Sequence, residues 1–379
     1  MDLDLSPEDE EFRARAREWL AEHVPRTPLP SLETREGFAA HRAWEAELFA
    51  GGWSVVSWPV RYGGQGAGIV RWLLFEEEYW AAGAPGRVSQ NGISLLAPTL
   101  FDHGSEEQRT RVLPSMADGT TVWAQAWSEP EAGSDLAALR SRAVRAPGGW
   151  LLSGVKTWSS RAAFADRAFG IFRTDPAAER PHQGLTCLMF DLRAPGVTVR
   201  PIGRLDGRPA FAEIALDRVF VPDGEVIGEP GQGWRIAMST TGNERGLTLR
   251  SPGRYRAAAD RLAGLWRASG GPAETRDRVA DAVIGARAYT LFAWAGASRF
   301  LAGGAIGAES SLNKVFWSEY DIALHETALD LLGEEGGFAD TEWAEGYVFA
   351  LAGPIYAGTN EIQRDIVAER LLGLGKGLR

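Results

Sequence analysis

The stretch GPIYAGTNEIQRDIVAERLLGL, Gly353–Leu374, changes character at Thr359. Thr359 and Asn360 are helix-capping residue types, and the spacing of apolar residues beyond them predicts a final helix from Asn360. Free amides and the helix dipole at such a start favour a phosphate group.

Working outward from that tail, the chain is helical back to about Gly233, in Ala/Arg/Leu-rich segments at 252–268, 273–302 and 309–332. Between Thr121 and residue 232 the texture differs. Short apolar runs (TVWAQAW, WLLSG, AFGIF, TCLMFDL, VTVRPI) are separated by Pro/Gly/Asp turns, Ala210–Leu216 alternates, and Pro147-Gly148-Gly149 is a hairpin signal. These features predict a small antiparallel β-barrel or sandwich. The first 120 residues read as helical again: Ser6-Pro7 opens a helix to about His23, and Ser105 with Gln108 forms a capping-box pattern. The expectation is an α+β chain with a helical domain at 1–120, a β domain at 121–232 and a four-helix-bundle-like domain at 233–379.

Bulk properties narrow the function. A chain of 379 residues is long for one core, and its net charge of −10 argues against binding a phosphate backbone. No nucleic-acid partner is expected. One cysteine, Cys187, excludes an internal disulfide framework. The start MDLDLSPEDEEF lacks a signal-peptide apolar run, and the weakly polar stretch Ala288–Ser298 is too short to span a bilayer. A cytoplasmic location follows as an expectation. The five histidines form no metal-ligand pair, no GxGxxG supports a Rossmann fold, and no serine sits in a nucleophile elbow.

Two further motifs bear on chemistry. QAWSEPEAGSD, Gln125–Asp135, runs from a strand end into a Gly/Ser/Asp turn, where backbone amides and small hydroxyls suit a flat polar heterocycle. KTWSS, Lys156–Ser160, follows the hairpin strand. Together with the tail, WPVRYGGQGAG and HGSEEQRTRVLP, these motifs resemble the acyl-CoA dehydrogenase family over nearly the whole chain.

That resemblance implies FAD as cofactor and an acyl thioester as substrate. It places Gln125, Trp127, Ser128, Trp158 and Ser160 on the flavin, and Gly133 and Ser134 near the pyrophosphate or the thioester, with Ser134 also a substrate contact. Thr359 and Glu361 match FAD-binding positions, although most members carry Gln where Glu361 stands. It also implies an electron acceptor such as electron-transfer flavoprotein, and a homotetramer or a heterotetramer with a related subunit.

One departure matters for mechanism. Many members hold a Glu between the tail Tyr and Gly, and that carboxylate removes the substrate's α-proton. Here the position is Ala357, beside Gly358, and a methyl group cannot accept a proton. Members lacking the tail Glu carry one immediately before an Arg on an earlier helix, which Glu244-Arg245 matches. The resemblance thus assigns the base to Glu244 and substrate contacts to Arg245, Ala357 and Gly358. The competing expectations are a catalytically silent FAD- or acyl-binding subunit, or a flavin oxidase or monooxygenase of the same fold.

Overall fold

The computed structural model describes residues 4–245, 251–304, 307–338 and 341–375. The chain forms two compact units, one of Pro25–Ala67 and Pro85–Glu244, the other of Met1–Val24, Gly68–Ala84 and Arg245–Arg379.

Local rules place the N-terminal helices. Ser6 caps α1 (Pro7–His23) by accepting the Asp9 amide, and Thr34 caps α2 (Arg35–Ala50) through the Gly37 amide. Then come α3 (Ile69–Ala81) and α4 (Ala97–His103). Ser105 and Gln108 exchange side chain–backbone hydrogen bonds, and this capping box opens α5 (Glu106–Ala117).

The β region is β1 (Trp123–Ala126), β2 (Arg142–Ala146), β3 (Gly149–Ser160), β4 (Arg167–Arg173), β5 (Leu185–Asp191), β6 (Val197–Ile202), β7 (Phe211–Pro222) and β8 (Val226–Ile227). They form one sheet in the order β6-β7-β3-β2-β4-β5-β8. The ladders are antiparallel except where β1 runs parallel to β4 and where β2 touches the end of β4. Alternation in the sequence does not distinguish these two directions, because side chains alternate in both. Gly148 takes the left-handed turn between β2 and β3, at φ 76°. Ala212, Ile214 and Leu216 of β7 point inward and join Trp150, Leu152, Phe172 and Phe190 in the core. α2 adds Phe38 to the same cluster.

The C-terminal helices are α6 (Gly233–Arg245), α7 (Pro252–Ala268), α8 (Arg276–Leu301), α9 (Glu309–Phe338), α10 (Glu342–Ala350) and α11 (Asn360–Ile366). α9 overruns its expected end at 332, with a non-helical break at Gly333 (φ 65°, ψ −155°). Leu262, Leu324, Ala328 and Trp343 centre the core of the helical unit. Buried carboxylates on α3 bring the N-terminal helices into it. Glu78 accepts from Arg13 at 2.6 Å and Arg17 at 2.8 Å, while Trp294 of α8 donates to Glu77 at 3.0 Å. Close approach does the rest: a Cβ on Gly253 of α7 would fall 2.6 Å from the Glu76 carbonyl oxygen. No helix among the described residues is long and apolar enough to cross a membrane.

A second charged link joins α7 to α9. Arg254 Nη2 lies 2.9 Å from Asp321 Oδ2, and His325 Nδ1 is 3.3 Å from Oδ1. Burial alone would raise the Asp321 carboxyl, but Arg254 and His325 more than offset it and bring its pKa from 3.8 to about 2. A lowered carboxylate pKa stabilises the fold above the unfolded value, and that contribution disappears as pH falls through the folded one. Asp321→Asn should therefore lower stability by about 3 kcal/mol at neutral pH, since it leaves a buried guanidinium without its counter-charge. The same variant should flatten the acid limb of stability between pH 3.8 and about 2. Calorimetry across that range checks both; an unchanged acid limb would remove Asp321 from the account.

Candidate functional site

In the sheet unit, the residues selected from the sequence lie on two neighbouring pieces of chain. Gln125 is half-buried on β1, opposite Phe169 of β4. Trp127 is buried edge-on against Phe169 at 6.2 Å, and its indole Nε1 has no hydrogen-bond partner among the described residues. Ser128 follows, and its carbonyl accepts the Thr157 amide at 2.9 Å. That single bond brings the β1 exit beside the end of β3. Gly133 and Ser134 sit on the exposed turn beyond, which a small bridge between Glu129 and Ala132 opens.

Trp158 occupies an irregularity in the β3–β7 register between Lys156 and Ser159. Its φ is 57°, a costly value for a bulky L residue, on the order of 1–2 kcal/mol. A core tryptophan would be buried; this one is 60% exposed, with its ring near-perpendicular to that of Phe211 at 5.9 Å. Arg161 repeats the left-handed backbone at φ 56°, held by its guanidinium on buried Glu33 at 3.0 Å. Strain of this kind persists only where surrounding bonds impose it. Beside Trp158, Ser160 is half-buried, and the buried Ser159 hydroxyl has no hydrogen-bond partner among the described residues.

Two charged residues that the sequence reading passed over lie beneath this surface. Lys156 is fully buried, and its Nζ donates to the Ile171 carbonyl at 2.7 Å, the Glu129 carboxylate at 2.9 Å and the Trp127 carbonyl at 3.2 Å. Burial pushes its pKa down to about 8, against the opposing pull of Glu129. Burial would raise Glu129, but the Lys156 charge and the Arg140 amide hold its carboxyl below the ordinary range. A signal was available: Lys156 is the one charged residue in GWLLSGVKTWSS.

In the helical unit, Tyr356 stacks on Trp317 at 5.9 Å, and the two residues after it are left-handed: Ala357 at φ 56° and Gly358 at 80°. Buried Gln363 secures them, its Nε2 donating to the Ala357 carbonyl at 3.1 Å. Thr359 caps α11 by accepting the Ile362 amide at 3.3 Å. Asn360 is locked by buried Lys314 at 2.8 Å and by Ser318 at 3.1 Å. Glu361 is exposed, and hydrogen bonds from its own amide and from Thr359 hold its carboxyl below the ordinary range. Glu244 and Arg245 end α6, but their side chains lie outside the described residues.

An exposed indole face, half-buried Gln125, Ser128 and Ser160, and the unused N–H of Trp127 and hydroxyl of Ser159 fit a flat heterocycle with ring heteroatoms. Among the described residues no three His, Cys, Asp or Glu side chains converge in a way that could hold a metal ion.

Comparison with known proteins extends this geometry. Family models for the acyl-CoA dehydrogenase N-terminal, middle and C-terminal domains match residues 6–120, 124–219 and 231–372. The chain is 37% identical to the acyl-CoA dehydrogenase IpdE1 of Mycolicibacterium smegmatis, across 98% of this chain and 99% of that protein. Its counterpart in Mycobacterium tuberculosis is also 37% identical, across 96% and 97%. Among solved structures, the Tcur3481-Tcur3483 steroid ACAD superposes with a TM-score of 0.86 at 27% identity over the full length of both chains. The ChsE4-ChsE5 complex from Mycobacterium tuberculosis gives 0.83 at 27%, again over both full lengths.

Because the Trp158 side chain is exposed and its backbone left-handed, Trp158→Gly should leave stability within about 1 kcal/mol of the wild type. FAD affinity should nevertheless fall by about tenfold or more, through loss of the aromatic face. Thermal melting and fluorescence titration of flavin separate these effects. A large drop in melting temperature with unchanged flavin affinity would make Trp158 a packing residue.

Proposed function

The chain belongs to the acyl-CoA dehydrogenase family of FAD-dependent oxidoreductases acting on CH–CH groups, and from that premise we propose that Glu244 starts the reaction by removing the α-proton of a bound acyl thioester. The observation that carries this reading is Ala357. The tail loop is fully built, with Tyr356 stacked, Gln363 bonded and Thr359 capping, yet it offers only a methyl where many relatives hold their base. Glu244, directly before Arg245 at the end of α6, is the carboxylate that matches the alternative placement.

Proton abstraction from carbon next to a thioester needs a carboxylate shielded from water, since desolvation raises its basicity. Bound FAD supplies the acceptor for the hydride that leaves the β-carbon. Gln125, Trp127, Ser128, Trp158 and Ser160 hold and orient the ring system; Gly133 and Ser134 serve the pyrophosphate or thioester end; Thr359 and Glu361 hold the cofactor from the tail. Arg245, Ala357 and Gly358 line the acyl group, with Ser134.

A methyl at position 357 leaves room beside the α-carbon, which favours branched or polycyclic acyl groups. The structural relative named a steroid ACAD supports that choice. An electron-transfer flavoprotein is the proposed electron acceptor, and CoA the proposed carrier, in the cytoplasm. We assign domain boundaries near residues 120 and 232. The proposed assembly is a tetramer, homomeric or with a related chain. Its support is the exposure of apolar Ile284 and Leu291 on α8 and Leu312 on α9, together with the two-component names of the structural relatives.

Glu244→Gln should keep FAD bound while reductive bleaching by substrate slows by about 10²–10⁴-fold. Adding Ala357→Glu should restore part of the rate, limited by misplacement of about 1 Å. Stopped-flow flavin spectra read both. Near-normal bleaching in Glu244→Gln would place the base elsewhere, and a wild type that binds FAD but bleaches with no thioester would point to a silent subunit.

A wild-type thioester panel tests specificity. Ring-bearing or α-branched acyl-CoAs should show higher kcat/KM than straight chains. Clear preference for an octanoyl-type chain would defeat the roomy-pocket reading.

A further inference from the structure

We propose that the buried Lys156–Glu129 pair is a positioning device that sets the shape of the flavin-facing surface, a reading that rests on the FAD assignment above. The geometry reaches Trp127, Ser128 and Trp158 and the loop bearing Gly133 and Ser134. Lys156 has three N–H groups and three acceptors on two pieces of chain: the Trp127 carbonyl and the Glu129 carboxylate at the β1 exit, and the Ile171 carbonyl in β4. Glu129 in turn accepts the Arg140 amide at 2.6 Å and the Ser141 amide at 2.9 Å. Those bonds close the loop bearing Gly133 and Ser134 at its base. The next amide after Lys156 belongs to Thr157 and donates to Ser128, just before the strained Trp158. One ion pair thus fixes the height of Trp127 and Ser128, the ends of the 130–139 loop, and the start of the Trp158 bulge.

Stability alone does not explain a charge pair here. Apolar residues of similar volume commonly replace a buried pair at no cost, whereas removing one partner is strongly destabilising. What an apolar pair does not reproduce is direction: the five hydrogen bonds of the pair hold separate segments at fixed angles, beside the backbone bond from Thr157 to Ser128. Lys156 and Glu129 are positioning residues, acting through the chain they hold.

The test compares Lys156→Met, Glu129→Gln and the double variant Lys156→Met/Glu129→Leu with wild type. Three quantities are measured: melting temperature, FAD dissociation constant with the visible circular dichroism of bound FAD, and hydrogen exchange of the Thr157 amide in flavin-free protein. Neither substitution removes the Thr157 donor or its Ser128 acceptor. The single variants should melt early. The double variant should recover most of the melting temperature while keeping FAD affinity about tenfold weaker, an altered flavin dichroism and a Thr157 amide exchanging about tenfold faster. A double variant with wild-type flavin affinity, dichroism and Thr157 exchange would overturn the proposal. Should the double variant not fold, Glu129→Gln, which preserves shape and an acceptor, decides by the same readouts. If wild type takes up no FAD, the cofactor reading fails by itself, and Thr157 exchange alone still decides whether the pair positions this surface.

Discussion

A lysine ammonium with no exposure to water, held by one carboxylate and two carbonyls, is the constraint on which the surface around Trp127, Ser128 and Trp158 depends. Ion pairs at a surface contribute little and break readily. Below the surface the balance changes, because a lost partner leaves an uncompensated charge. Lys156 and Glu129 therefore act as a latch with few intermediate states. The strained backbone at Trp158 and Arg161 is plausible only beside such anchors, one on Glu129 and one on Glu33.

The tail solves a similar problem with uncharged groups. Two consecutive left-handed residues, Ala357 and Gly358, hang from the side-chain amide of Gln363 in the helix that follows them. Asn360 is fixed separately by Lys314 and Ser318. Removing the carboxylate from this position has not loosened the loop, since none of these bonds involves the side chain at 357. The loop's geometry and its chemistry are separable.

What could be read from the sequence was mostly what local rules govern. The caps at Ser6 and Ser105, the turn at Gly148 and the alternation of β7 each depend on a few neighbouring residues, and each is seen as expected. The motifs that named the family lie on the segments proposed to hold the flavin. The parallel pairing of β1 with β4 and the burial of Lys156 were not legible, because both depend on which distant chain lies alongside. The exposure of Trp158 runs against the usual fate of tryptophan and follows from a register irregularity that no propensity records. Nor did residue order announce that α1 and α3 join the C-terminal helices, since that rests on Glu77 and Glu78 meeting Arg13, Arg17 and Trp294.

That last arrangement has a consequence for the newly made chain. The sheet unit is complete in sequence once Glu244 has been synthesised, whereas the helical unit needs α1, α3 and everything from Arg245 onward. On the ribosome, α1 and α3 can meet each other through Arg13, Arg17 and Glu78, but α3 waits for its contacts with Gly253 of α7 and Trp294 of α8. Pairing between elements so far apart in sequence is slow, because a long loop must close before any contact rewards it. The charged ends Arg13, Arg17, Glu77 and Glu78 keep those waiting helices from being wholly apolar, and so serve during synthesis as well as in the finished fold.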